Sequence, residues 1–136
     1  MKYIDSNVFI YPVIYNENVN GVVKAKEYLL QIAKGKLKAC TATLTWDELV
    51  WIIRKISNSE SAISEGKKFL RFPHLQILDV DHIVLQKAQE LIEEYQLKPR
   101  DAIHAATALV NDINQIISDD EDFDAIKELK RLPIRG

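Results

Sequence analysis

The chain is short of the residues that usually announce a mechanism. Among 136 residues it has a single cysteine, four glycines and four prolines. Cys40 alone cannot form an internal disulfide, which fits a reducing, cytoplasmic setting. Its apolar-leaning surroundings, "LKACTATL", read as a buried structural thiol rather than a reactive one. No apolar run approaches the roughly 20 residues needed to span a bilayer. The first segment, "MKYIDSNVFIYPVIYNENVNG", is interrupted by Asp5, Asn7 and Pro12 and leads to no small-residue cleavage site, so it is read as part of the fold and not as a signal peptide. The four glycines form no phosphate cradle and no dinucleotide fingerprint. No G-x-S-x-G supplies a nucleophile. Cys40, His74, His82 and His104 show no zinc-ligand spacing.

A positive excess is also missing. Net charge is −2, whereas nucleic-acid binders usually carry a clear positive bias. That objection weakens if the acids hold metal, because two divalent ions would turn −2 into +2. Basic groups that could meet an anionic ligand are Lys34/Lys36/Lys38, Arg54/Lys55, Lys67/Lys68/Arg71 and the pair Lys98 and Arg100. Each also reads as a solvated helix face.

What is present is an alternation of short apolar strands with amphipathic helices. Strands are expected at "KYI", "LKAC", "LQILDV" and "QIIS", with a short fifth near "RLPI". Helices are expected from Ser6–Asn7, over 20–34, 43–56 and 58–71, along the Val84–Tyr95 period, and over 100–111 after Pro99. Pro12 is expected to end or kink the first. This pattern predicts an α/β fold in which a small parallel sheet of about four to five strands is flanked by helices, within a single domain spanning 1–136. At this length a proper core can be buried.

The acids fall at telling places. Asp5 ends the first strand, and the fourth runs into "SDDEDFD". Its consecutive acids Asp119, Asp120, Glu121 and Asp122 would repel by roughly 4 kcal/mol per pair at about 4 Å unless they splay into water or enclose a cation. With Glu48 at zero on a helical wheel, Leu49, Ile52, Ile53 and Ile56 centre near about 90°, so Glu48 borders the apolar stripe while Asp47 points away. Asp101 lies beside Ala102, Ala105 and Leu109 in a first helical turn, where the helix dipole favours a carboxylate. Singly, each acid also reads as a cap, a dipole partner or a solvated turn. Together they place acids beyond the carboxyl ends of parallel strands, where α/β sheets build their sites. Carboxylates without Cys or His partners suit Mg2+ or Mn2+. His104, one turn beyond Asp101, is read as packing or backbone-bonded. Trp46 and Trp51 offer either stacking on bases or packing at an interface; at helical spacing with Ile52 and Ile53, packing is the preferred reading.

Four segments in order, "YIDSNVFIY", "TWDELVW", "RDAIHAATA" and "IISDDEDFD", resemble the PIN-domain nucleases, and most closely the VapC-type toxins of prokaryotic toxin–antitoxin pairs. The resemblance covers nearly the whole chain and implies a PIN-like three-layer architecture. It matches Asp5, Glu48 and Asp101 to three upstream acids, and the pattern hydroxyl–x–Asp–x–x–Phe to Ser118, Asp120 and Phe123. Asp120 is then the fourth acid, with Asp119 as its competitor and Asp122 as an auxiliary. Asn7 matches a polar residue that helps hold the site, and Ser118 a hydroxyl that orients the acids. The resemblance implies a metal-dependent ribonuclease in which Asp5, Asp101 and Asp120 hold Mg2+ or Mn2+, and Glu48 binds the metal or its water. It also implies an RNA substrate, a small antitoxin partner and a homodimer, with Val13, Tyr15, Trp51 and Phe69 as candidate interface residues; among the basic groups, Lys98 and Arg100 are the candidate substrate contacts because Arg100 directly precedes Asp101. An RNA-processing PIN nuclease and a non-catalytic metal-binding module are the alternatives.

Overall fold

The computed structural model describes residues 1–136. Five strands, β1 (Lys2–Ile4), β2 (Ala39–Ala42), β3 (Leu75–Leu78), β4 (Gln115–Ile117) and β5 (Lys130–Leu132), form one sheet in the order β3-β2-β1-β4-β5. Every pairing is parallel. The crossovers are made by α1 (Ser6–Ile14), α2 (Val22–Ala33), α3 (Leu44–Ile56), α4 (Ser59–Leu70), α5 (His82–Tyr95) and α6 (Pro99–Val110), with a short 3-10 helix at Glu121–Ala125 before β5.

Alternation along the strands sends neighbouring side chains to opposite faces, and each face has its own core. Tyr3, Cys40, Ala42 and Ile116 pack with Val84, Ala88 and Leu91 of α5, with the buried alanines of α6, and with Phe123. Ile4, Ala39 and Ile117 pack instead with Val8 and Phe9 of α1, Ile32 of α2, Leu49 and Ile53 of α3, and Phe69 of α4. The result is three layers, helices on both sides of a parallel sheet. Truncating a fully buried member such as Ile53 to alanine costs about 2–5 kcal/mol. On α6 four of the six buried positions are alanines, Ala102, Ala105, Ala106 and Ala108, whose small side chains let the helix backbone lie close to the sheet; His104 and Thr107 are the other two.

Several boundaries differ from the sequence expectation. The second strand is Ala39–Ala42 rather than "LKAC", because Leu37 is taken up by the preceding turn, its amide donating to the Gln31 carbonyl at 3.2 Å. All four β2 residues are buried, so no alternation marked the start. α1 runs through Pro12 to Ile14 and closes with the Tyr15 amide on the Tyr11 carbonyl, so the proline neither stops it nor defines its end. The last strand stops at Leu132, before Pro133, which has no amide to give a ladder. Cys40 is buried, and burial pushes its thiol up to about 12, as expected of a structural cysteine.

The strand order fixes where a site can form. The chain proceeds outward from β1 through β2 to β3, then returns to the other side of β1 as β4. Connections diverge at the carboxyl ends of β1 and β4, leaving a crevice between them. Asp5 follows β1 and Ser118 follows β4. The Asp5 amide still donates to the Ile117 carbonyl at 3.1 Å, which holds the two strand ends in register.

Candidate active site

Asp5 is buried at the floor of this crevice. Its Oδ1 accepts the Ser6 amide at 2.8 Å, and its Oδ2 accepts the Ser118 hydroxyl at 2.5 Å. The same hydroxyl oxygen accepts the Asp120 amide at 3.0 Å and the Asn7 side-chain amide at 3.4 Å. One serine thus joins β1, α1 and the acidic loop. Arg131 of β5 braces that loop from behind: its Nη1 donates to the Ser118 carbonyl at 3.2 Å, and its Nε and Nη2 grip Asp124 at 2.8 and 2.9 Å.

Glu48 reaches the crevice from α3. Thr41 at the end of β2 donates to the Ile4 carbonyl at 2.7 Å and shares a 2.6 Å hydrogen bond with Thr45, pinning the first turn of α3 to β1. The Glu48 carboxylate meets His104 Nε2, while His104 Nδ1 lies 2.6 Å from the Tyr3 hydroxyl. A carboxylate can only accept, so Nε2 carries a proton in this arrangement. His104 is buried and also lies 3.7 Å from Asp5 Oδ1. Packing was the expectation for His104. The structure instead makes it a bridge between a core tyrosine and two of the site's acids.

Asp101 stands in the first turn of α6, behind Pro99. One oxygen from each of Asp101, Asp120 and Asp122 lies within 4.8 Å of the other two. The expected ligand set was Asp5, Asp101 and Asp120. The geometry therefore draws Asp122, expected as an auxiliary, into the group with Asp101 and Asp120, and leaves Asp5 deeper. Asp119 is turned elsewhere. Its Oδ1 accepts the Ile134 and Arg135 amides at 2.7 and 2.8 Å and its Oδ2 the Arg135 Nε at 2.9 Å, so this carboxylate anchors the end of the chain. Of the two adjacent aspartates, Asp120 faces Asp101.

The electrostatics follow from crowding acids where water is scarce. Burial raises the Asp5 pKa despite the His104 charge and the Ser118 and Ser6 hydrogen bonds. Asp101 is pushed up to about 7 by burial, by the charge of Asp120 and a hydrogen bond shared with it, and by Asp5 and Asp122. Burial opposes a charge on His104, yet its hydrogen bond to Glu48 and the nearby acids raise its pKa above the usual histidine value. The site takes up positive charge wherever it can find it.

The donor set fits a hard divalent cation. It is all oxygen and strongly negative, and Asn7, whose side-chain amide reaches Ser118, keeps a buried Oδ1 with no partner in the protein. An open cleft of about 650 Å³ leads to it, lined by Glu48, Lys98, Pro99, Arg100, Asp101 and Asp120. Lys98 and Arg100, the expected substrate contacts, thus share a cleft with three of the acids. The tryptophans are not core residues of this chain: Trp46 is 42% and Trp51 55% exposed, because both project from the rim of α3 rather than from the stripe of Leu49 and Ile53. Phe69, a candidate interface residue, belongs to the core, whereas Val13 and Tyr15 are exposed. No helix is long and apolar enough to cross a membrane.

The chain has relatives similar to it in sequence and in fold. The chain is 26% identical to the ribonuclease VapC2 of Methanocaldococcus jannaschii, over 97% of its own length and 93% of the relative's. Its fold is similar to VapBC2 from Rickettsia felis bound to a promoter DNA fragment (TM-score 0.73, 20% identity, 98% of each chain). It is also similar to VapC20 of Mycobacterium tuberculosis, a toxin that cleaves the sarcin–ricin loop (TM-score 0.74, 14% identity, 93% of this chain and 95% of that one). The PIN-domain family profile matches residues 2–129, a span holding every acid of the crevice. A three-layer parallel fold with carboxylates gathered at its β1–β4 switch point and this match together establish that the chain belongs to the PIN-domain family.

Proposed function

We propose that this protein is an endoribonuclease dependent on Mg2+ or Mn2+ and the toxin of a toxin–antitoxin pair. The observation that carries the reading is the cleft that Glu48, Asp101 and Asp120 line from three separate elements, with Asp5 beneath it close enough to raise the Asp101 pKa. Asp101 and Asp120 would hold the cation, with Asp122 at the rim and Asp5 beneath, and Glu48 would hold the cation or its water. When bound, the ion supplies Lewis acidity, activating water and offsetting charge on the phosphodiester.

The chain's own groups do the rest. His104 holds Glu48 by one oxygen; the other makes no hydrogen bond within the protein and is free to accept a proton from water. In the hydrolysis, the water oxygen adds to phosphorus and gives its proton to Glu48 as one ester P–O bond breaks, and the leaving oxygen takes up a proton from solvent to become a hydroxyl end. Arg100 and Lys98 meet the phosphates on the way in, the guanidinium as a two-pronged donor. Ser118 keeps Asp5 and the Asp120 backbone at fixed separation, so little reorganisation accompanies binding.

The relatives found in VapBC complexes support a small antitoxin as partner, and exposed Val13 and Tyr15 offer apolar contact for it. A homodimer and a cytoplasmic setting complete the reading. The test is cleavage of a mixed structured RNA pool with Mn2+ by the wild type, by Asp5→Asn combined with Asp101→Asn, and in excess EDTA. Expression in cells without the partner is expected to arrest growth. Cleavage that survives the double substitution or EDTA sinks the reading.

A further inference from the structure

A second, smaller cavity of about 190 Å³ adjoins the acid cleft and shares two of its walls, Glu48 and Arg100. The remaining lining is Ser6, Asp47, and the apolar group Ile10, Trp51 and Ile52. Trp51 is the most exposed of these large side chains at 55%, although exposing an indole forgoes much burial energy. Lys55 holds its ammonium 4.8 Å from the Trp51 ring centroid, so the indole sits in a positive setting completed by Arg100. Asp47 is the one opposing charge besides Glu48.

We propose that this cavity is a base-binding subsite, in which Trp51 stacks on one unpaired nucleobase of an RNA strand whose phosphate lies in the acid cleft. The inference rests on the ribonuclease reading and names what that site selects. A flat aromatic wall beside aliphatic ones suits the π-face of any base, while Ser6 and Asp47 offer hydrogen-bonding groups to a base edge. Arg100 stands between the two cavities, where a phosphate joins one nucleoside to the next. An apolar protein side chain would use Ile10 and Ile52 but gain nothing from Lys55 and Arg100, so the charges favour a nucleic acid. A base inside a duplex is covered above and below by its neighbours and cannot present its face to an indole. The subsite therefore selects single-stranded loops or ends over duplex.

The test uses Trp51 as its own reporter. In a Trp46→Phe, Asp101→Asn background, which leaves one tryptophan and no cleavage, a short single-stranded oligoribonucleotide is titrated against an abasic strand of equal charge. The base-bearing strand is expected to shift Trp51 fluorescence and to bind about tenfold tighter than the abasic one. Trp51→Ala, followed with a labelled strand, is expected to erase that preference, and Trp51→Phe to keep most of it. Circular dichroism checks that each variant folds. Equal binding of both strands, an unchanged preference in Trp51→Ala, or a fluorescence response to apolar peptide but not to RNA overturns the subsite. Wild-type cleavage measured in parallel separates the two claims. A wild type that cleaves RNA without base-dependent binding loses only the subsite, and one that binds bases through Trp51 but never cleaves loses only the nuclease reading.

Discussion

The Ser118 hydroxyl donates to Asp5 Oδ2 at 2.5 Å, joining residues 113 positions apart in the chain. Through the same oxygen it accepts the Asp120 amide, so two strand ends and the acidic loop hang on one side chain. Ser118 is fully buried and Asp5 nearly so, which leaves the hydroxyl–carboxylate pair little water to fall back on. Ser118→Ala is therefore expected to destabilise the protein by about 1–3 kcal/mol and to weaken Mn2+ binding. Denaturant unfolding and calorimetric titration measure the two effects. Unchanged metal affinity would remove Ser118 from the site's support.

His104 gives a second test. His104→Ala strands the Tyr3 hydroxyl and releases Glu48, at about 1–3 kcal/mol for the buried polar group left behind. If Glu48 handles the attacking water, kcat should fall by about 10²-fold or more while KM changes little. A loss confined to stability would make His104 a core residue after all.

The pH dependence has a definite sign. Asp5, Asp101 and His104 all bind a proton more tightly in the folded state, Asp101 with a value of about 7. A raised folded pKa contributes stability below the unfolded value and loses it as pH rises through the folded one. The metal-free protein should lose thermal stability between about pH 5 and pH 8, with a shallower slope in Asp101→Asn. Glu17 and Asp124, whose pKa values are lowered by Lys26 and Arg131, are already ionised across that window and do not tilt it. Saturating Mg2+ should flatten or invert the trend, because the cation binds the deprotonated acids. A metal-free midpoint that rises with pH contradicts this account.

Asp119 and Asp120 should separate cleanly. Asp119→Asn loosens the anchor of Ile134 and Arg135 and should cost about 1–3 kcal/mol with Mn2+ affinity retained. Asp120→Asn should abolish Mn2+ binding while leaving the metal-free protein as stable or more so, since one repelling charge is gone. Paired titrations and melts decide between them.

Much of the fold was legible because period and punctuation agree along this chain. The α3 wheel put Glu48 beside the stripe of Leu49 and Ile53, and the structure turns it to the same crevice as Asp5. Pro99 and Asp101 marked the start of α6 correctly. What escaped depends on partners distant in sequence. Nothing local distinguishes His104 from any buried histidine until Tyr3 and Glu48 close on its two nitrogens. Asp119 looks like Asp120 until the chain's end returns to claim it, and Arg131 looks like a surface cation until β5 pairs with β4. Trp51 carries an apolar signal that ordinarily means burial, and only the geometry of α3 leaves it at the cleft.

The central claim is that these acids hold a metal in order to cut RNA. The most direct measurement is calorimetric titration of Mn2+ into the wild type and Asp101→Asn, beside cleavage of a structured RNA pool by the same preparations. The account predicts that the wild type binds Mn2+ and cleaves, and that Asp101→Asn does neither while remaining folded. Wild-type protein that binds no Mn2+, or Asp101→Asn that still cleaves, contradicts it.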